Sequence, residues 1–234
     1  MLKFEEHPRG GVDNKAIEHG GQTHLPCVLL IDTSGSMERC VDELYRGLVA
    51  LKEAFEDDID AIQKVEISII FFDDHARIGM PFGPVMDYEA PRPEVGGMTA
   101  MHEAVELALS EIDIRKKQYK ENGTTYYRPW IFMLTDGGSN DPDNGAFKKL
   151  LKAQKNNHVI FWPFGIGEQI NQSELAGLRE DGIILTASKE NFKKSFEWLS
   201  SSLTIVSKSK PNDEIVLPDP QEYGVKPIQL KVQS

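Results

Sequence analysis

The 234-residue sequence is poor in several features that would narrow its role at once. Cysteine is nearly absent. Cys27 and Cys40 have no metal-ligand spacing, and a disulfide framework is not expected from them. Long apolar runs are missing as well: the longest are Cys27–Ile31, Ile67–Phe72, Trp130–Leu134 and Val159–Phe164. Each falls far short of the ~20 residues that cross a bilayer, so no membrane partner is expected. Positive charge is scarce, with 26 Lys and Arg against 37 Asp and Glu and a net charge of −11. A nucleic-acid or anionic-membrane surface needs a net attraction to phosphate, which this balance opposes. The opening residues, Met-Leu-Lys-Phe-Glu-Glu-His-Pro, carry no apolar h-region. No secretory signal is therefore expected, and the cytoplasm is the expected location.

What the sequence does contain is a core and a pattern. A hydrophobic content of 40% supports one substantial domain, expected over residues 24–208. An irregular Gly- and His-containing arm (1–23) precedes it, and a tail (209–234) with Pro211, Pro218, Pro220 and Pro227 follows. Apolar bursts at Leu25–Asp32, Val65–Phe72, Trp130–Asp136, His158–Gly165 and Ile183–Thr186 read as buried strands, and Ala76–Met80 as a short edge strand. Between them, helical spacing marks Arg39–Glu56, Ala100–Glu121, Asn144–Asn156, Ser173–Glu180 and Glu190–Val206. This alternation predicts an α/β fold of Rossmann-like, doubly wound type. Its sheet is mostly parallel and six-stranded, with one short antiparallel edge strand and helices on both faces.

Open sheets of this kind bind ligands beyond the carboxyl ends of their strands, where strand order reverses. Three loops at that rim carry oxygen donors. The first strand ends in Asp32-Thr33-Ser34-Gly35-Ser36, a later one in Thr135-Asp136-Gly137, and Gly96-Gly97-Met98-Thr99 leads into a helix. Asp32, Ser34, Ser36, Thr99 and Asp136 form a candidate metal site of two carboxylates and three hydroxyls. These donors are hard, with no His or Cys among them, and so favour Mg²⁺, with Mn²⁺ or Ca²⁺ as alternatives, over zinc or copper. Two carboxylates roughly neutralise a divalent ion, and the hydroxyls leave room for water and one outside ligand.

Each residue alone has a blander reading. Ser34, Ser36 or Thr99 would cap a helix, and Asp136-Gly137 would form a turn. Their coincidence at three successive rim loops favours the site. A phosphoaspartyl enzyme would need a second Asp two residues after Asp32, where Ser34 stands. A metal-dependent phosphohydrolase or phosphotransferase using the same Asp/Ser residues is the alternative to a binding role. Asp141-Pro142-Asp143-Asn144-Gly145 lacks the twelfth-position Glu of a calcium loop and reads as a turn. Asp57-Asp58 and Asp73-Asp74 read as solvated turns, and His102 as an exposed first-turn residue, with a place lining the rim as its alternative.

The Asp-x-Ser-x-Ser after an apolar strand, the Thr after Gly-Gly and the Thr-Asp-Gly after a later strand resemble the von Willebrand factor type A (VWA) pattern. The resemblance implies that Asp32, Ser34, Ser36, Thr99 and Asp136 hold a divalent cation directly or through water, as a metal-ion-dependent adhesion site (MIDAS). A complete oxygen-ligand set without a nucleophile–base pair points to a non-enzymatic module in which the cation takes an Asp or Glu of a partner protein. Tyr126–Phe132 and Phe196–Leu203 are similar to the bacterial TerY/YegL branch. That similarity implies an intracellular protein of a tellurium-resistance or stress system, with a protein kinase or PP2C-type phosphatase as partner. The segment Gly137–Asp141 departs from the branch's form.

Overall fold

The computed structural model describes residues 3–5, 22–56, 58–168, 170–210 and 213–230. In chain order its strands are β1 (Lys3–Glu5), β2 (Leu25–Asp32), β3 (Val65–Phe72), β4 (Ala76–Pro84), β5 (Trp130–Thr135), β6 (Ile160–Ile166), β7 (Ile183–Ala187), β8 (Glu214–Val216) and β9 (Lys226–Gln229). The helices are α1 (Val41–Glu53), α2 (Ile59–Lys64), α3 (Met101–Glu121), α4 (Ala146–Lys155), α5 (Gln172–Gly177) and α6 (Phe192–Lys208).

The main sheet has the order β4-β3-β2-β5-β6-β7-β9. Its five central strands are parallel, while β4 and β9 run antiparallel at the two edges. The chain leaves β2 in one direction for β3 and β4, then returns to the other side of β2 for β5. Strand order therefore reverses between β2 and β5, and the crevice at their carboxyl ends is the expected ligand position.

Side-chain alternation along β2 builds the two layers. Cys27, Leu29 and Ile31 face a core shared with Leu44, Leu48 and Leu51 of α1 and with Phe196, Leu199 and Leu203 of α6. Val28 and Leu30 face the opposite way, toward Met101, Val105 and Ala108 of α3 and Leu150 of α4. Because both faces are covered, β2 and β3 are buried at every position. That is why they read in the sequence as near-continuous apolar runs, interrupted in β3 only by Glu66 and Ser68.

Two expectations change. The sheet has seven strands rather than six, because Lys226–Gln229 of the tail joins β7 as an outer edge. Pro227 suits that place, since an edge strand can spare a backbone N–H. The tail also buries Ile215, Leu217 and Val225, and Pro218 accepts a hydrogen bond from Trp198 Nε1 at 3.1 Å. A six-residue helix, α2, which was not expected, follows the Asp57-Asp58 pair read as a solvated turn. Asp58 caps it by accepting from Ala61 N at 3.1 Å. Of the expected arm 1–23, only 3–5 and 22–23 lie within the described residues, and 3–5 pairs with β8.

Candidate metal centre

The register of the sheet sets the site. Ile31 is paired with Leu134, so Asp32 and Thr135 leave their strands side by side. Thr135 Oγ1 donates to Asp32 Oδ2 at 2.5 Å, and Asp32 Oδ1 accepts from Ser34 N at 2.8 Å. The second of these bonds curls the loop tightly, turning the next hydroxyls back over the carboxylate. Ser34 Oγ lies 3.0 Å from Ser36 Oγ, and Ser36 Oγ donates to Asp136 Oδ1 at 2.5 Å. Asp32, Ser34, Ser36 and Asp136 thus form one connected set across two strand ends. Asp32, Ser34 and Asp136 are buried, while Ser36 is exposed. Ser34 occupies the N-cap position of a 3₁₀ turn, Gly35–Cys40, but makes no side-chain cap bond. Its hydroxyl is turned to the site instead.

Thr99 reaches the same rim through a separate set of ties. Gly96 N donates to Thr33 O at 2.9 Å, and Gly35 N to Gly97 O at 3.2 Å. Gly97 has φ +72°, and a Cβ there would stand 2.6 Å from the Asp74 carboxyl carbon. Asp74 Oδ1 in turn accepts from Met98 N at 2.9 Å, and Asp73 accepts from Thr33 Oγ1 at 2.9 Å. Asp73 and Asp74 lie in the turn between β3 and β4, Asp74 exposed as expected, and they also staple the Thr99 loop. Thr99 is buried, and its carbonyl accepts from Asn140 N at 3.0 Å.

Nor does Thr99 cap α3; Ala100 holds that position. The carboxylate that serves the helix end is Asp141, which accepts from His102 N at 3.1 Å and Glu103 N at 2.9 Å. Negative charge at a helix amino end is favourable, and here it also pins the 137–141 loop to α3. His102 is buried rather than exposed. It stacks on Phe147 at 3.9 Å, with Nδ1 3.0 Å from Asp141 Oδ1. Ser139 is held from the other side, its N donating to Glu174 Oε2 at 3.0 Å.

Lys189 is a member of the rim that sequence reasoning missed. Its Nζ donates to Asp136 Oδ2 at 2.7 Å and to Ser36 O at 3.4 Å. A single lysine before a helix carries no local pattern that would single it out.

The electrostatics follow from burial. Burial pushes the Asp32 carboxyl up to about 6, against the hydrogen bonds from Ser34 and Thr135, and the Asp136 charge adds to the rise. The donor chemistry fits a hard divalent cation. Among the described residues no three His, Cys, Asp or Glu side chains converge, so any ion here rests on hydroxyls with two carboxylates. Oxygens adjacent on an octahedron with ~2.0–2.1 Å bonds stand about 2.9 Å apart. The Ser34–Ser36 separation of 3.0 Å matches that edge.

An open parallel sheet with oxygen donors at its switch point defines the class of domain. Residues 27–197 match the von Willebrand factor type A domain, and the chain belongs to that family. It is 28% identical over 176 residues to the uncharacterized protein sll0103 of Synechocystis, covering 73% of this chain and 39% of that one. Among solved structures it resembles proximal thread matrix protein 1 of the mussel byssus (TM-score 0.58, 18% identity, 81% of this chain and 48% of that chain). It also resembles a von Willebrand factor type A protein from Catenulispora acidiphila (TM-score 0.59, 16% identity, 78% and 43%). The chain thus spans well under two thirds of each of these relatives. One form of the byssus protein has a zinc-occupied MIDAS motif (TM-score 0.53, 16% identity, 78% and 48%).

Proposed function

We propose that the rim is a protein-binding surface at which Asp32, Ser34, Ser36, Thr99 and Asp136 hold a divalent cation, Mg²⁺ in the cell. When bound, the ion supplies an electrophilic position for one outside oxygen, which a partner's Asp or Glu fills. The observation that carries this reading is the connected oxygen set running from Asp32 through Ser34 and Ser36 to Asp136. Asp32 and Asp136 roughly neutralise a divalent ion and Ser34 and Ser36 add only neutral donors, so an incoming carboxylate is not met by a large negative field. The zinc-occupied motif of the byssus protein supports a divalent ion. The hard donors of this chain favour Mg²⁺ over zinc.

A non-enzymatic role is supported by Ser34, which stands where phosphoaspartyl chemistry would place a second acid. No helix among the described residues is long and apolar enough to cross a membrane. The similarity to the TerY/YegL branch favours a cytoplasmic partner, a protein kinase or PP2C-type phosphatase of a tellurium-resistance or stress system. Affinity capture from native lysate with Mg²⁺, then with EDTA and with Ser36→Ala, tests the proposal. The expected result is a partner lost under chelation and in the variant; retention under both conditions would rule out a cation bridge.

A further inference from the structure

Lys189 lies in a 3₁₀ turn, Lys189–Asn191, between β7 and α6. Its placement is built rather than incidental. The lysine stem crosses Gly167, where a Cβ would stand 3.1 Å from Lys189 Cε, and Gly167 itself has φ +81°. Its ammonium reaches Asp136 Oδ2 at 2.7 Å and Ser36 O at 3.4 Å, while Ser36 Oγ takes the other Asp136 oxygen at 2.5 Å. Both oxygens of a carboxylate whose side chain is only 3% exposed are therefore committed within the chain. The Lys189 side chain is 36% exposed, so its head has a path to water.

We infer that Lys189 is a tethered counter-cation that competes with the divalent ion for Asp136, linking occupancy of the site to the first turn of α6. The inference rests on the cation-binding reading above. A compact ammonium and a divalent ion cannot both stand close to one carboxylate without repelling each other. Ion binding therefore displaces the Lys189 head or is weakened by it, and the linkage acts equally in both directions. Loss of the ion pair removes the first anchor of a helix that packs Phe192 and Phe196 into the core. Retaining the pair leaves the site less avid but better held in shape.

Calorimetric titration of the full chain with Mn²⁺ and with Mg²⁺ tests this in wild type, Lys189→Met and Lys189→Arg. Lys189→Met is expected to bind about tenfold tighter, within the range usual for coupled sites, and Lys189→Arg to stay near wild type. Amide hydrogen exchange gives a second readout. Saturating Mg²⁺ should raise exchange across residues 189–196 in wild type, whereas Lys189→Met should exchange fast with or without the ion. Equal affinities in wild type and Lys189→Met would overturn the competition, as would unchanged exchange in wild type on saturation. Absence of binding in all three proteins would instead overturn the cation reading itself, and the competition with it.

Discussion

Two buried carboxylates lie at opposite ends of the same parallel strands, and burial leads them to opposite outcomes. Glu66 sits at the amino end of β3. Burial alone would raise its carboxyl, but His24, Tyr119 and Arg115 outweigh that and hold it below the usual range. Arg115 Nε and Nη2 lie 2.8 and 2.7 Å from Glu66 Oε2, Tyr119 donates to the same oxygen, and His24 Nδ1 stands 3.0 Å from Oε1. Asp32, at the carboxyl end of β2, is equally buried but meets a backbone N–H, hydroxyls and a second carboxylate, and its carboxyl rises to about 6. The amino end is electrostatically complete within the chain. The carboxyl end has its geometry but lacks countercharge on Asp32, and a divalent cation would supply it. The two carboxylates thus differ less in solvent exposure than in whether the protein has already answered the charge.

The largest expected effect lies at the complete end. Glu66→Ala leaves Arg115 and Tyr119 without their shared acceptor, and breaking a buried, hydrogen-bonded ion pair costs about 3 kcal/mol. Urea denaturation should show that loss, with Mg²⁺ affinity unchanged because the site is at the far end of the strands. A loss below about 1 kcal/mol would mean that the network is not the closed unit described.

Asp32→Asn probes the incomplete end and should have the opposite sign. A carboxyl whose folded pKa is raised contributes stability that is fully present below its unfolded pKa and lost as pH rises through about 6. At pH 7 without a cation, the charged Asp32 is therefore a cost. Neutral Asn should raise stability in EDTA by about 2 kcal/mol, the ~3 kcal/mol of the shift less ~1 for the Thr135 hydrogen bond that an amide nitrogen cannot accept, while abolishing stabilisation by Mg²⁺. The advantage should shrink as pH falls from 7 toward 4, where wild-type Asp32 is itself protonated. Glu66 has the reverse sign: its contribution is present above its unfolded pKa near 4.5 and is lost as pH falls through its lower folded pKa. Thermal melts of both variants across pH 4–7 in EDTA separate the two carboxylates. Equal pH slopes in wild type and Asp32→Asn would break the contrast between the two ends.

What could be read from the sequence divides along similar lines. Leu25–Asp32 and Val65–Phe72 have the same bounds in sequence and structure, because a strand covered on both faces leaves a near-continuous apolar run. Asp32, Ser34, Ser36 and Asp136 stand within a few residues of such runs, so finding the strands placed the oxygens. Lys226–Gln229 gave no such signal, since in this mostly exposed four-residue edge strand containing Pro227 only Ile228 packs on the core, too little to make a pattern. Asp141, Glu174 and Lys189 were also hidden. Their roles come from contacts 35 to 53 residues apart in the chain, and each resembles an ordinary surface charge in isolation. Asp73 and Asp74 mark the boundary of local reasoning. The hairpin turn was legible, whereas the loop it holds was not.

That hairpin suggests the smallest perturbation of the incomplete end. Gly97 combines φ +72° with an approach to Asp74 that leaves no room for a Cβ. Ala at 97 would meet both left-handed backbone strain and the Asp74 carboxylate, at a combined cost of about 1 kcal/mol or somewhat more. The damage should be local. Asp74 would release Met98 N, and the loop carrying Thr99 would loosen against Thr33 and Gly35, while β2 and β5 keep their register. Gly97→Ala should therefore weaken Mg²⁺ binding several-fold by calorimetry, with a modest fall in thermal stability. Gly96→Ala, whose Cβ meets nothing within 4 Å, should leave the affinity near wild type. If the two variants weakened Mg²⁺ equally, the Asp74 staple would have no part in holding Thr99 at the rim. The site would then depend only on the two strand ends that bring Asp32 and Asp136 together.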